Sequence, residues 1–236
     1  MAASWSMSGP DRVAQTQTES TPSDIWAGQA AYTPFSLKIY DALVLGLSSR
    51  YFWRCPSAEM LAVYDANVSA NHLDVGVATG YYLDACRFPV AQPRLGLLDL
   101  NPLCLETAAR RIARYRPETY QADVLAPIAL PVDPFDSLGI TFLLHCLPGP
   151  MTRKAAAFAN LKPLLNPGAR VFGATILGRG VPHNALGRRL MAFYNGKGIF
   201  GNAEDDPEGL RVALTAHFDG VDLRLKGAVA LFTARA

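Results

Sequence analysis

Long apolar runs are missing from this sequence, and each hydrophobic stretch stops well short of the roughly 20 residues that a membrane-spanning helix needs. No positive segment followed by an apolar one opens the chain, so a secretory leader is not expected. Charge is scarce: 18% of residues are charged, the formal net charge is +2, and no run of Lys and Arg stands out. That balance excludes an electrostatic nucleic-acid footprint, and no membrane partner is expected either. Cysteine is limited to Cys55, Cys86, Cys104 and Cys146, without C-x-x-C spacing. Buried, reduced thiols follow from that pattern, together with a reducing, cytoplasmic setting, and no zinc or magnesium ligand set is recognisable.

What is present is apolar residues, 50% of 236, enough for one domain with a proper core. Residues 1–33, rich in Ser, Thr, Gln, Gly and Ala, are expected to form a flexible tail. Residues 34–70 predict two cap helices, one through Leu37, Tyr40, Val44 and Leu47 and one over Ser57–Val68. An aromatic and basic connector, Ser48–Pro56, joins them.

From His72 onward strands alternate with helices. LDVGV, LGLLDL (Leu95–Leu100), Thr119–Ala122, DSLGITFLLHCL (Asp136–Leu147) and RVFGATIL (Arg170–Leu177) read as buried strands. Asn101 followed by Pro102 is a helix start, and Leu105, Ala109, Ile112 and Tyr115 share one face of that helix. Met151–Leu165 reads as one helix, and residues 178–209 as an insertion forming a lid. Two closing strands are separated only by Lys226 and Gly227, which makes the last antiparallel. The expectation is a doubly wound, mostly parallel seven-stranded α/β sheet with N-terminal helices and a lid.

Ligands bind such a sheet beyond the carboxyl ends of its strands. Gly76-Val77-Ala78-Thr79-Gly80 is not the G-x-G-x-x-G of dinucleotide binders, which disfavours an NAD oxidoreductase. Its two glycines allow close backbone approach to a ligand, and Asp74 lies on the same side of the strand as Gly76. D-V-G-x-x-T-G resembles motif I of class I methyltransferases, with Ala78 in place of a middle glycine. The later elements follow in the same order. They are Asp99-Leu100 at the second strand end, Asp123-Val124 in the third loop, Phe142–Gly149 (FLLHCLPG) after the fourth strand and LLNPGARV before the fifth. SLKIYD, LSSRYFWRCPS and YDANVSANHLDVGVATGYYLD are similar to the YbcY-like subgroup of these enzymes.

The resemblance implies S-adenosyl-L-methionine as cofactor, with S-adenosyl-L-homocysteine as product. It implies Asp99 on the ribose hydroxyls, Leu100 on the adenine face, and Asp123 on the adenine amino group. Asp74, Gly76, Ala78, Thr79, Gly80, Val124 and Phe142 would complete the cofactor site. Tyr40, Trp53 and Arg54 are candidate cover residues, Arg54 as a partner for the methionyl carboxylate. His145 is the candidate general base and His183 a candidate substrate contact. Apolar and aromatic lid residues (Leu186, Met191, Phe193, Tyr194, Ile199, Phe200) point to a small, hydrophobic acceptor. Two alternatives stay open: an enzyme that uses the bound sulfonium without consuming it, and a non-catalytic binder of the same cofactor.

Overall fold

The structure is a computed structural model that describes residues 49–236. The expected tail, the first cap helix and Tyr40 therefore lie outside the described residues. Helix α1 (Ser57–Asn67) precedes β1 (Asn71–Val75), α2 (Tyr81–Ala85), β2 (Arg94–Asp99), α3 (Pro102–Arg111), β3 (Glu118–Gln121) and β4 (Phe135–Thr141). Two short helices, α4 (Met151–Lys154) and α5 (Ala156–Leu161), lead to β5 (Leu165–Ile176). The lid helix α6 (Ala185–Gly196), α7 (Pro207–Thr215), β6 (Asp219–Lys226) and β7 (Val229–Arg235) complete the fold.

The strands form one sheet in the order β3-β2-β1-β4-β5-β7-β6. β1 pairs parallel with β2 and β4, β4 with β5, and β2 with β3, while β7 runs antiparallel to both β5 and β6. Strand order reverses between β1 and β4, the position at which a doubly wound sheet opens a crevice. Apolar side chains leave the sheet on both faces, as parallel strands covered twice require. Val171 and Leu177 of β5 join one core with Phe158 of α5 and Leu210 of α7. Phe172, Ala174 and Ile176 join the other, with Met60 of α1, Leu83 of α2 and Leu105 of α3.

Helix α3 starts where its cap is written. Asn101 Oδ1 accepts from the Leu103 N–H at 3.0 Å, and Pro102 occupies the first turn. Three expectations shift. The fourth strand stops at Thr141, because Phe142 adopts φ 60° and the following Leu144–Cys146 form a 3-10 turn. The single helix read over Met151–Leu165 is broken at Ala155 into α4 and α5, then ends in a 3-10 turn at Lys162–Leu164, where Pro163 is placed. The lid is not irregular throughout: Asn184 accepts from the Gly187 N–H at 2.6 Å and starts α6.

Candidate active site

The β1–α2 turn is built from positive φ angles. Gly76 has φ 72°, Ala78 45° and Gly80 71°. A side chain on Gly76 would meet Leu143 Cβ at 2.9 Å, and one on Gly80 would meet Ala108 Cα at 3.0 Å, so both positions need glycine for space as well as conformation. Ala78 takes the left-handed conformation with a Cβ attached, a backbone strain that local propensity alone would not choose. The turn curls at the mouth of a cleft of about 900 Å³, part of it open to solvent. Strand ends supply the cleft's walls: Gly76 and Ala78 after β1, Asp99 and Leu100 from β2, Asp123 and Val124 after β3, and Phe142 after β4. Eight of the expected cofactor residues therefore converge, counting Thr79 and Gly80 in the adjoining recess reduced by one where Asp74 lies underneath it.

Asp99 ends β2 with Oδ1 accepting from the Asn101 N–H at 2.9 Å. Burial pushes its carboxyl group up to about 6, against the lowering effect of backbone N–H groups of residues 101, 78, 77 and 100. Asp123 Oδ1 accepts from the Leu125 N–H at 2.9 Å and so shapes its own loop. Asp74 is buried and committed below the cleft. Its Oδ2 accepts from the Tyr64 hydroxyl at 2.8 Å and lies 3.3 Å from His72 Nε2, while His72 Nδ1 is 2.8 Å from Ser137 Oγ. This chain ties α1 to β1 and supports the turn from beneath. Thr79 accepts from Arg111 at 3.0 Å.

Trp53 and Arg54 do not line the cleft, which corrects the expectation that they cover the cofactor. Trp53 is buried, its carbonyl accepting from the Ala228 N–H at 2.8 Å, and its ring stands against the lid. Arg54 is exposed beside the turn between β6 and β7, where Gly227 packs on it. The cleft is instead completed by Leu143, Cys146, Leu147 and Pro148. Nothing but their place after the fourth strand could have marked these four.

His145 lies in the 3-10 turn after β4, buried, with its ring 4.5 Å from Phe200 and 5.9 Å from Phe142. Burial, and secondarily Lys154, lower its pKa to about 3. The imidazole is therefore neutral at physiological pH and a poor resting place for a proton, which narrows the role foreseen for it. Its Nδ1 is buried and, among the described residues, has no hydrogen-bond partner. Phe200 also contacts Trp53 (6.1 Å) and Tyr194 (4.8 Å), so lid and connector meet over the end of β4. Leu186 and Phe193, also read as acceptor-facing, are more than half exposed on the outer side of α6. The four thiols are free, as expected, and burial pushes that of Cys146 up to about 12. Among the described residues no helix is long and apolar enough to cross a membrane, and no group of metal-binding side chains occurs.

Comparison with known proteins agrees with this geometry. Residues 73–171 match the methyltransferase domain family model. The chain is 42% identical over 207 residues to demethylluteothin O-methyltransferase of Streptomyces thioluteus, covering 88% of this chain and 90% of the relative. It is 38% identical over 193 residues to YbcY of Escherichia coli (strain K12), covering 80% of this chain and 98% of that protein. N-methyltransferase NodS of Bradyrhizobium japonicum WM9, solved in complex with S-adenosyl-L-homocysteine, has the same fold, with a TM-score of 0.56 at 19% identity over 85% of this chain and 96% of that one. A glycine turn at the β1–β4 switch point, an acid at the end of β2 and a relative matching nearly the whole length lead to one assignment: the chain belongs to the class I S-adenosylmethionine-dependent methyltransferases.

Proposed function

We propose that this enzyme methylates a hydroxyl oxygen of a small, apolar acceptor held between the cofactor cleft and the lid formed by residues 178–209. The observation that carries the reading is the aromatic wall beside the cleft. Phe142 lines the cleft and contacts His145, which contacts Phe200 of the lid, which contacts Trp53. Such a wall favours a flat apolar molecule and excludes water from the transfer. The choice of oxygen is supported by the relative that acts as an O-methyltransferase at 42% identity.

The cofactor supplies an activated methyl group on a sulfonium, so positioning is most of what the protein contributes. In this reading Asp99 accepts from the ribose hydroxyls, Asp123 meets the adenine amino group, and Leu100 and Val124 pack on the ring. Gly76, Ala78, Thr79 and Gly80 bring the turn against the methionyl part, with Asp74 holding that turn from below. Phe142, strained at φ 60°, stands between cofactor and acceptor. His145 serves as a neutral hydrogen-bonding partner of the acceptor rather than as a strong base. That division fits an acceptor whose hydroxyl is already acidic, such as a phenol or enol.

The test is incubation with methyl-labelled S-adenosylmethionine and a panel of hydroxylated ring compounds and amines. Label in an O-methyl product is expected. Label appearing only in N-methyl products overturns the choice of oxygen, and conversion of an acceptor without label points to a cofactor that is not consumed.

A further inference from the structure

Two histidines in this region have ring nitrogens that are buried and lack any hydrogen-bond partner among the described residues: His145 at Nδ1 and His183 at both Nδ1 and Nε2. A neutral imidazole always carries one donor and one acceptor, and leaving both buried and unmet is costly. Native structures seldom leave such groups unmet without a ligand or water to satisfy them. The two rings are joined through aromatic contacts and not through polar ones. His145 meets Phe200 edge-on at 4.5 Å, Phe200 meets Trp53 at 6.1 Å, and Trp53 meets His183 edge-on at 6.5 Å.

The lid that carries His183 is well anchored. Asn184 Nδ2 donates to the Tyr51 carbonyl at 2.7 Å, and Gly187 sits so close to the Phe52 carbonyl that a Cβ would approach it to 2.8 Å. At the other end of the lid, the Gly201 N–H donates to the His145 carbonyl at 2.9 Å. Both imidazoles are thus fixed relative to one aromatic surface, one beside the cofactor cleft and one beyond Trp53.

We propose that the acceptor is a flat, apolar ring molecule with two oxygen functions, one held by His145 near the cofactor and the other read by His183. His183 is then a specificity-determining residue at the distal end of the acceptor site. This rests on the reading of the site as an acceptor chamber given above. A site built around two unmet polar groups discriminates against an analogue lacking one of their partners, because that partner's place is left empty in a dry environment.

Calorimetry on the full chain saturated with S-adenosylhomocysteine tests this with 2-naphthol and 2,6-dihydroxynaphthalene as probes. The wild type is expected to bind the dihydroxy compound about tenfold or more tightly than the mono-hydroxy compound. In His183→Ala that ratio should collapse toward one, and His183→Gln, which keeps a donor and an acceptor, should restore part of it. A merely structural role would weaken both probes together and leave the ratio intact. A wild type without preference, or a preference that survives in His183→Ala, overturns the inference. If these fail while labelled methyl still reaches other hydroxylated compounds, only the role of His183 is lost. If no acceptor takes label at all, the O-methylation reading falls with it.

Discussion

Asp99 sits at the end of β2 with its carboxyl group pushed up to about 6 by burial. Hydroxyl donors from a ribose stabilise the carboxylate and disfavour its protonated form, so cofactor binding draws the group's pKa down again. The bound state then holds fewer protons than the free state around pH 6, and affinity falls as pH drops through that value. Calorimetry in buffers of different ionisation enthalpy should therefore detect proton release on binding near pH 6. Asp99→Ala should weaken S-adenosylmethionine by about 1.5–3 kcal/mol, the loss expected for hydrogen bonds to a charged acceptor. An unchanged affinity in a folded variant would mean that the ribose lies elsewhere.

Ala78 offers a second test at the same scale. Its φ of 45° costs an L-residue roughly 1–2 kcal/mol, whereas glycine at that position would carry an unfolded-state entropy cost of about 0.5–1 kcal/mol. Ala78→Gly is thus expected to stabilise the protein by about 0.5–1 kcal/mol, read as a higher midpoint in thermal or urea unfolding. A lower midpoint would show that the methyl group of Ala78 makes contacts worth more than the strain.

Among the elements, the lid is held by a feature that lies far apart in the chain. Lys154 of α4 and Asp205 after α6 are both almost fully buried, with Nζ 2.5 Å from Oδ2, and the same ammonium donates to the Gly201 carbonyl at 2.9 Å. Burial lowers the pKa of the lysine and raises that of the aspartate, while each charge opposes the shift in the other. The backbone N–H groups of Gly178 and Arg179 donate to the Asp205 carbonyl, which closes the base of the lid. Removing one partner strands the other charge, so Lys154→Met should cost about 3–5 kcal/mol in denaturant unfolding. Replacing both, as in Lys154→Met with Asp205→Leu, should recover much of that stability. If the double variant is no better than the single one, the pair is not what holds these segments together. No local signal announces this pair, because neither periodicity nor motif links residues on separate elements. By contrast, the Asn101-Pro102 start of α3 was legible, since a cap acts within one turn of its own residue.

For the molecule as a whole, His145 couples folding to pH. Its folded pKa of about 3 lies below the ordinary value of 6.5, so the neutral form belongs to the folded state. The unfolded chain gains a proton below about pH 6.5 that the folded one refuses, and stability from this group declines as pH falls toward 3. Roughly 3 kcal/mol should be lost by pH 4 from this residue alone. His145→Met should show a shallower decline of unfolding free energy between pH 6.5 and 4 than the wild type. Equal slopes would show that other groups govern acid unfolding.

The sequence by itself determined the order of strands and helices, the antiparallel return of the last strand and the run of elements that surround the cofactor cleft. These depend on apolar alternation, on caps, and on glycines in one turn, all of which act over a few residues. Tertiary structure alone decided what lies beyond that range. It turned the chain at Phe142 so that His145 points into the protein, moved Trp53 from the cofactor to the lid, and left Arg54 on the surface. It also brought Lys154 to Asp205 and set two unmet imidazoles along one aromatic wall. The physical reason is that burial, ring contacts and pKa shifts belong to neighbours in space, and those neighbours are chosen only when the sheet closes and the lid settles over its edge.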